Sequence, residues 1–187
     1  MGLDITAYSH LRAIGQHAKD PTLNEGETGG PEDACYYANH VTAYAYASFP
    51  RSFRGIPVLG TERMSGAVFL VGGCYETTDR TVIHDFRAGS YSGYGTWRAD
   101  LARQFNPYRP SSDQEPDPDL PFYELIWFAD NEGCIGELAA AELREDFHAH
   151  AQAYSPPSED ASWFVEKYAD WTRAFQLAAD GGLVHFH

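Results

Sequence analysis

The sequence predicts a single α+β domain: a mostly antiparallel sheet packed by two or three helices from the C-terminal half. Three observations predict it. Segments of strand character dominate the first half of the chain. Apolar residues at helical steps of three and four mark residues 137–179. The strands and helices do not follow a regular βαβ alternation, which sets the chain apart from the doubly wound α/β class. A length of 187 residues suits one domain, and 43% hydrophobic with 14% aromatic residues is enough apolar material to bury a core.

Each element has a local reason. Leu3, Ile5 and Ala7 alternate with Asp4, Thr6 and Tyr8, the period of a half-buried first strand. Residues 19–33, KDPTLNEGETGGPED, combine turn formers with acids and read as an exposed loop. VTAYAYASF at 41–49 is β-branched and aromatic, and GAVFLVGG at 66–73 is an apolar run closed by glycines. TVIHDF, 81–86, is expected to pair with that run, with CYETTDR between them as a hairpin or short loop.

A short helix is expected over Trp97–Phe105, with Thr96 as its N-cap. Residues 109–121, RPSSDQEPDPDLP, form a second acidic loop. FYELIWF, 122–128, bounded by Pro121 and by Asp130-Asn131-Glu132-Gly133, reads as an internal strand ending in a turn. Glu137–Ala151 is an Ala-rich helix with Ala139, Leu143, Phe147 and Ala151 four apart. Ser158–Ala179 carries Phe164, Tyr168, Trp171, Phe175 and Ala178 on one stripe and stops at Asp180-Gly181-Gly182. LVHFH, 183–187, closes the chain as a strand.

Charge narrows the function classes. With 13 Lys+Arg against 27 Asp+Glu the formal charge is −14. Broad phosphate-backbone binding needs a basic stripe, which argues against a general nucleic-acid binder. Segments 19–33 and 113–119 together carry eight of those fourteen negative charges, so much of the acidity belongs to loops. Cys35, Cys74 and Cys134 form neither a disulfide framework nor a CxxC motif, as expected in a reducing cytosol. No apolar run reaches membrane-spanning length, so no membrane association is expected.

Three groups of residues could carry chemistry. The densest is HDFRAGSYSGYGTWRADL, 84–101, where Gly89, Gly93 and Gly95 let backbone amides converge at a helix entry, an anion-binding arrangement. There Arg87 and Arg98 are candidate clamps for a phosphate or carboxylate, Ser90 and Ser92 supply hydroxyls, and Tyr91, Tyr94 and Trp97 offer faces for a planar ring. The spacing is neither a P-loop nor GxGxxG, and no cofactor is expected. Asp130, Asn131 and Glu132 form a second polar cluster, suited to acid/base work or a hard cation. His185 and His187 point the same way on a strand, the arrangement two imidazoles need to share a metal, with Asp4 or another acid completing it. No nucleophile signature is present, and nothing in the sequence requires an enzyme.

The opening MGLDITAYS, the middle FRAGSYSGYGTWRADLA, the segment FYELIWFADNEGCIG and the ending DGGLVHFH resemble a family of tailed-bacteriophage and prophage proteins with no assigned activity. The resemblance spans most of the chain. It implies a viral accessory protein working in the cytoplasm of the bacterial host, and for a small acidic protein in that context a counter-defence role is the expectation. In that setting the first expectation is a binding protein that holds an anionic, nucleotide-like small molecule at residues 87–98. Alternatives are an acidic inhibitor that occludes a host defence or nucleic-acid-binding protein, and a metal-dependent hydrolase built on Asp130, Glu132 and the histidines.

Overall fold

The alternation at the N-terminus becomes the central strand of a sheet. The computed structural model describes residues 2–16, 40–42, 73–107, 117, 119–128, 133–158 and 160–187. In chain order the elements are β1 (Gly2–Tyr8), β2 (Arg12–Gln16), β3 (His40–Thr42), β4 (Gly73–Glu76), β5 (Ile83–Ser90), α1 (Tyr91–Phe105), α2 (Tyr123–Trp127), β6 (Gly133–Gly136), α3 (Glu137–His150), α4 (Ala161–Ala178) and β7 (Leu183–Phe186). A four-stranded antiparallel sheet runs in the order β5-β1-β7-β6, and a three-stranded one in the order β2-β4-β3. The architecture is α+β, with antiparallel strands packed by helices, as the sequence predicts.

Register puts the apolar half of each strand on one face. Ile5 stands opposite both Phe86 and Phe186, and Ala7 opposite Val184. Leu3, Ile5, Ala7, Val184 and Phe186 are all buried. The stripe Phe164-Tyr168-Trp171-Phe175-Ala178 of α4 is buried along its length. The Trp171 ring lies 5.0 Å from Phe86, 5.5 Å from Phe186, 5.7 Å from Tyr94, 5.9 Å from Trp97 and 5.6 Å from Phe175. One indole therefore joins the sheet, α1 and its own helix. Ala139, Leu143 and Phe147 of α3 join the same core, whereas Ala151, just beyond the helix, is exposed.

The last strand pairs with the first. The N–H of Asp4 donates to the carbonyl of His187 and the N–H of His187 to that of Asp4, both at 3.0 Å. The Thr6 hydroxyl and the His187 ring, 181 residues apart, share a hydrogen bond of 2.9 Å. Between α4 and β7 the chain turns at Gly181, with φ +65°, the left-handed residue that commonly ends a helix.

Several expectations are corrected. Residues 122–128 are not a strand: Tyr123–Trp127 form the short helix α2, every residue buried, after Phe122 at φ 61°. A short apolar run buried on all sides lacks the periodicity that separates strand from helix. Helix α1 starts at Tyr91 rather than Trp97, capped by Ser90, whose hydroxyl accepts from the N–H of Gly93 at 3.0 Å. Thr96 is no cap; its hydroxyl donates to the Ser92 carbonyl inside the helix. Gly93 and Gly95, which suggested a turn, are helical, each at a cost of about 1 kcal/mol relative to alanine.

The strand over 81–86 exists as β5 and pairs with β1, while residues 66–72 of its expected partner lie outside the described residues. Cys74–Glu76, expected in the connection, lie in strand β4, which pairs with β2 and β3. The loop 19–33, most of the loop 109–121, the segment 66–72 and all of 41–49 beyond Thr42 lie outside the described residues. Among the described residues no helix is long and apolar enough to cross a membrane.

Candidate functional site

The segment 87–98 is split by its own secondary structure. Residues 87–90 finish β5, and 91–98 are the first two turns of α1. Strand pairing sets Asp4 opposite Arg87 and Gly2 opposite Ser90, with a bulge between Leu3 and Asp4. The Arg87 guanidinium lies across Gly2, occupying the space a side chain there would fill. Arg87 therefore reaches back along the sheet toward the cross-strand partner of the helix cap. It is largely solvent-exposed, 3.9 Å from the Asp4 carboxylate, an ion pair worth little in water.

At the helix entry the hydroxyls of Ser90 and Ser92 are 3.0 Å apart and exposed, and Tyr91 is 40% exposed. The N–H groups of Tyr91 and Ser92 fall in the first turn, where no intrahelical acceptor exists. That turn carries no acid. In a chain of charge −14, an acid-free helix N-terminus beside an arginine is a local exception to the overall field.

The remaining members of the group turn inward. Trp97 is fully buried and Tyr94 is 4% exposed. The Tyr94 hydroxyl donates to the Phe128 carbonyl at 3.3 Å, and burial pushes its pKa up to about 12, against a smaller opposing pull from Arg98. Arg98 donates to the same carbonyl at 2.5 Å, and its guanidinium sits 5.4 Å from the Tyr94 ring centre. Arg87 and Arg98 thus form no clamp. Arg98 and Tyr94 tie α1 to the carbonyl at the end of α2, Trp97 stacks on Phe147 of α3 and Trp171 of α4, and Arg87, Ser90, Tyr91 and Ser92 are the part that meets solvent.

One residue of this site has no forewarning in the loop's own sequence. A Cβ on Gly89, which has φ +118°, would lie 3.2 Å from the Trp163 ring, and one on Gly93 3.8 Å from it. The half-buried indole of Trp163, from the first turn of α4, therefore lies against Gly89 of β5 and Gly93 of α1. The only sequence signal is that Trp163 falls off the apolar stripe of its helix.

Asp130, Asn131 and Glu132 lie outside the described residues. His185 and His187 do share a side of β7, with rings stacked 4.9 Å apart. Asp4 meets the His187 backbone and the Arg87 side chain, and among the described residues no three His, Cys, Asp or Glu side chains could hold a metal ion.

Burial and then the neighbouring His187 lower the His185 pKa from 6.5 to about 4. The folded state keeps this ring neutral where the unfolded chain protonates. Its contribution to stability is therefore complete above pH 6.5 and is lost as pH falls toward 4. The expected loss is about 3 kcal/mol. Urea denaturation at stepped pH, with His185→Gln as the variant that flattens the profile, measures it; a wild-type profile flat between these limits contradicts the assignment.

No protein-family model, curated protein or solved structure matches this chain.

Proposed function

We propose that this chain is a binding protein that holds a small anion at the entry of α1, a phage accessory protein by its sequence resemblance, serving in counter-defence. One observation carries the reading. The exposed first turn of α1 presents unpaired amides and the hydroxyls of Ser90 and Ser92, carries no acid, and has the Arg87 guanidinium lying along the adjoining strand pair. Helix N-termini favour anions through both the dipole and the free N–H groups, and a guanidinium adds a bidentate donor. Trp163 and Tyr91 supply aromatic surface beside the anion, which favours a ligand with a planar ring, such as a nucleotide.

A charge placed on the helix start separates site from scaffold. Ser92→Asp puts a carboxylate in the first turn, where it should stabilise the helix by about 0.5 kcal/mol. The same carboxylate should weaken binding of AMP or inorganic phosphate at least about tenfold, because it occupies the anion position. Calorimetric titration and thermal denaturation of the variant give both readouts. A stabilised variant with unchanged affinity would sink the reading. Ser90→Ala should cost about 1 kcal/mol of stability through loss of the cap alone.

A further inference from the structure

Strand β5 is an edge of the main sheet. In the order β5-β1-β7-β6 it is the outermost strand, eight residues long. One side of it pairs with β1, and among the described residues no strand pairs with the other.

Two hydrogen bonds fix which main-chain groups lie on that outer side. The Ser9 N–H donates to the Val82 carbonyl at 3.0 Å, so residues 82, 84 and 86 turn their main-chain groups toward β1. The Arg87 carbonyl, of the opposite phase, accepts instead from Lys167 Nζ of α4 at 3.0 Å. The N–H and C=O groups of Ile83, Asp85 and Arg87 therefore point away from the sheet. Beyond Arg87 the pairing with β1 shifts at the bulge, and the regular edge ends there.

Such an edge is a template for another strand unless it is blunted. β5 contains neither proline nor lysine. Ile83 is 50% exposed and the preceding Val82 43%, and Asp85 and Arg87 are exposed beside them. Lys167 reaches the last of the three carbonyls and leaves that oxygen a second lone pair.

The charges select the occupant. Asp85 and Arg87, two residues apart, stand on one face of the strand with opposite sign. A second copy of β5, antiparallel about a two-fold axis, meets this edge with Asp85 opposite Asp85, Ile83 or Arg87. The first sets like charges against each other, and the second sets an acid against an apolar side chain. In the third the axis passes beside Phe86, and each carboxylate meets a guanidinium, once in each direction. The Arg87 guanidinium can turn to this partner at little cost, because it now lies 3.9 Å from the exposed Asp4 carboxylate, an ion pair worth little in water.

We infer that two copies of this chain pair through β5, antiparallel and with Asp85 of each opposite Arg87 of the other, joining the two four-stranded sheets into one. Arg87 is the one residue shared with the α1 entry, and the pairing stands whether or not an anion binds there.

Sedimentation equilibrium of the full chain tests it. Each copy carries a charge of −14, so the salt is set at about 0.15 M, where a Debye length of about 8 Å screens the general repulsion between copies. The mass should rise reversibly from 20.8 kDa toward twice that value as the chain is concentrated to about 200 μM. Asp85→Arg sets cation against cation at both pairs and should weaken dimerisation at least about tenfold, with the thermal midpoint of this exposed site unchanged. Arg87→Asp sets acid against acid and should do the same. Combining the two exchanges restores opposite charges and should return the dimer to within about threefold of wild type. A chain that stays monomeric up to about 200 μM overturns the inference. So does a dimer that Asp85→Arg leaves intact, or one that the double exchange fails to restore.

Discussion

Replacement of Gly182 by alanine should destabilise the protein by about 3 kcal/mol or more, enough to unfold much of it at 37 °C. Gly182 is buried just before β7, and a Cβ there would fall inside the contact distance of the Tyr8 carbonyl oxygen, 2.6 Å from the Tyr8 carbonyl carbon and 2.9 Å from the Ser9 Cα. These are backbone atoms at the end of β1 and of the residue after it, so no rotamer change relieves the clash. Relief requires β7 to move away from β1, and the pairs Tyr8–Leu183 and Ala7–Val184 move with it. The adjacent Gly181 provides the comparison. Its positive φ makes alanine strained there, but the nearest atom to a Cβ is the His10 Cα at 3.9 Å, so Gly181→Ala should cost only about 1–2 kcal/mol. Urea denaturation of both variants measures the difference. A Gly182→Ala protein within about 0.5 kcal/mol of wild type would mean that the close approach to Tyr8 does not exist.

Trp171→Ala should be as severe, with an expected loss of about 3–5 kcal/mol. The indole is fully buried and touches rings from β5, β7, α1 and its own helix, so its removal leaves a cavity lined by groups on elements that cannot all close inward together. Val165→Ala on the same helix is the control. Val165 is 52% exposed, and its truncation should shift stability by no more than about 0.5 kcal/mol. Equal midpoints for the two variants would show that α4 does not dock through its tryptophan.

Legibility followed periodicity. The alternation of β1 and the stripe of α4 are signals that burial imposes on the sequence itself, and both elements lie where the pattern puts them. Residues 122–128 had no such signal, because an element surrounded by core has no polar side to mark its period. The start of α1 was obscured for a different reason. Gly93 and Gly95 disfavour helix locally, and the burial of Tyr94 and Trp97 outweighs that preference.

The candidate site was half legible for the same reason. Glycines, serines and arginines announce a helix entry, but which aromatic and basic side chains face solvent depends on where the helix begins. A start six residues earlier than expected sends Tyr94 and Trp97 inward and ties Arg98 to Phe128. Trp163 was beyond sequence reasoning, because its contact with Gly89 and Gly93 is made by segments far apart in the chain.

The pairing of β1 with β7, strands about 180 residues apart, also fixes a schedule. During synthesis β1 leaves the ribosome early, yet one of its two neighbours in the sheet, β7, is made only near residue 186. Until then one edge of a central strand is open, and Leu3, Ile5 and Ala7 have no finished core to enter. The main sheet therefore cannot be completed until residue 186 has been made, and the nascent chain must be kept from pairing elsewhere in the interval.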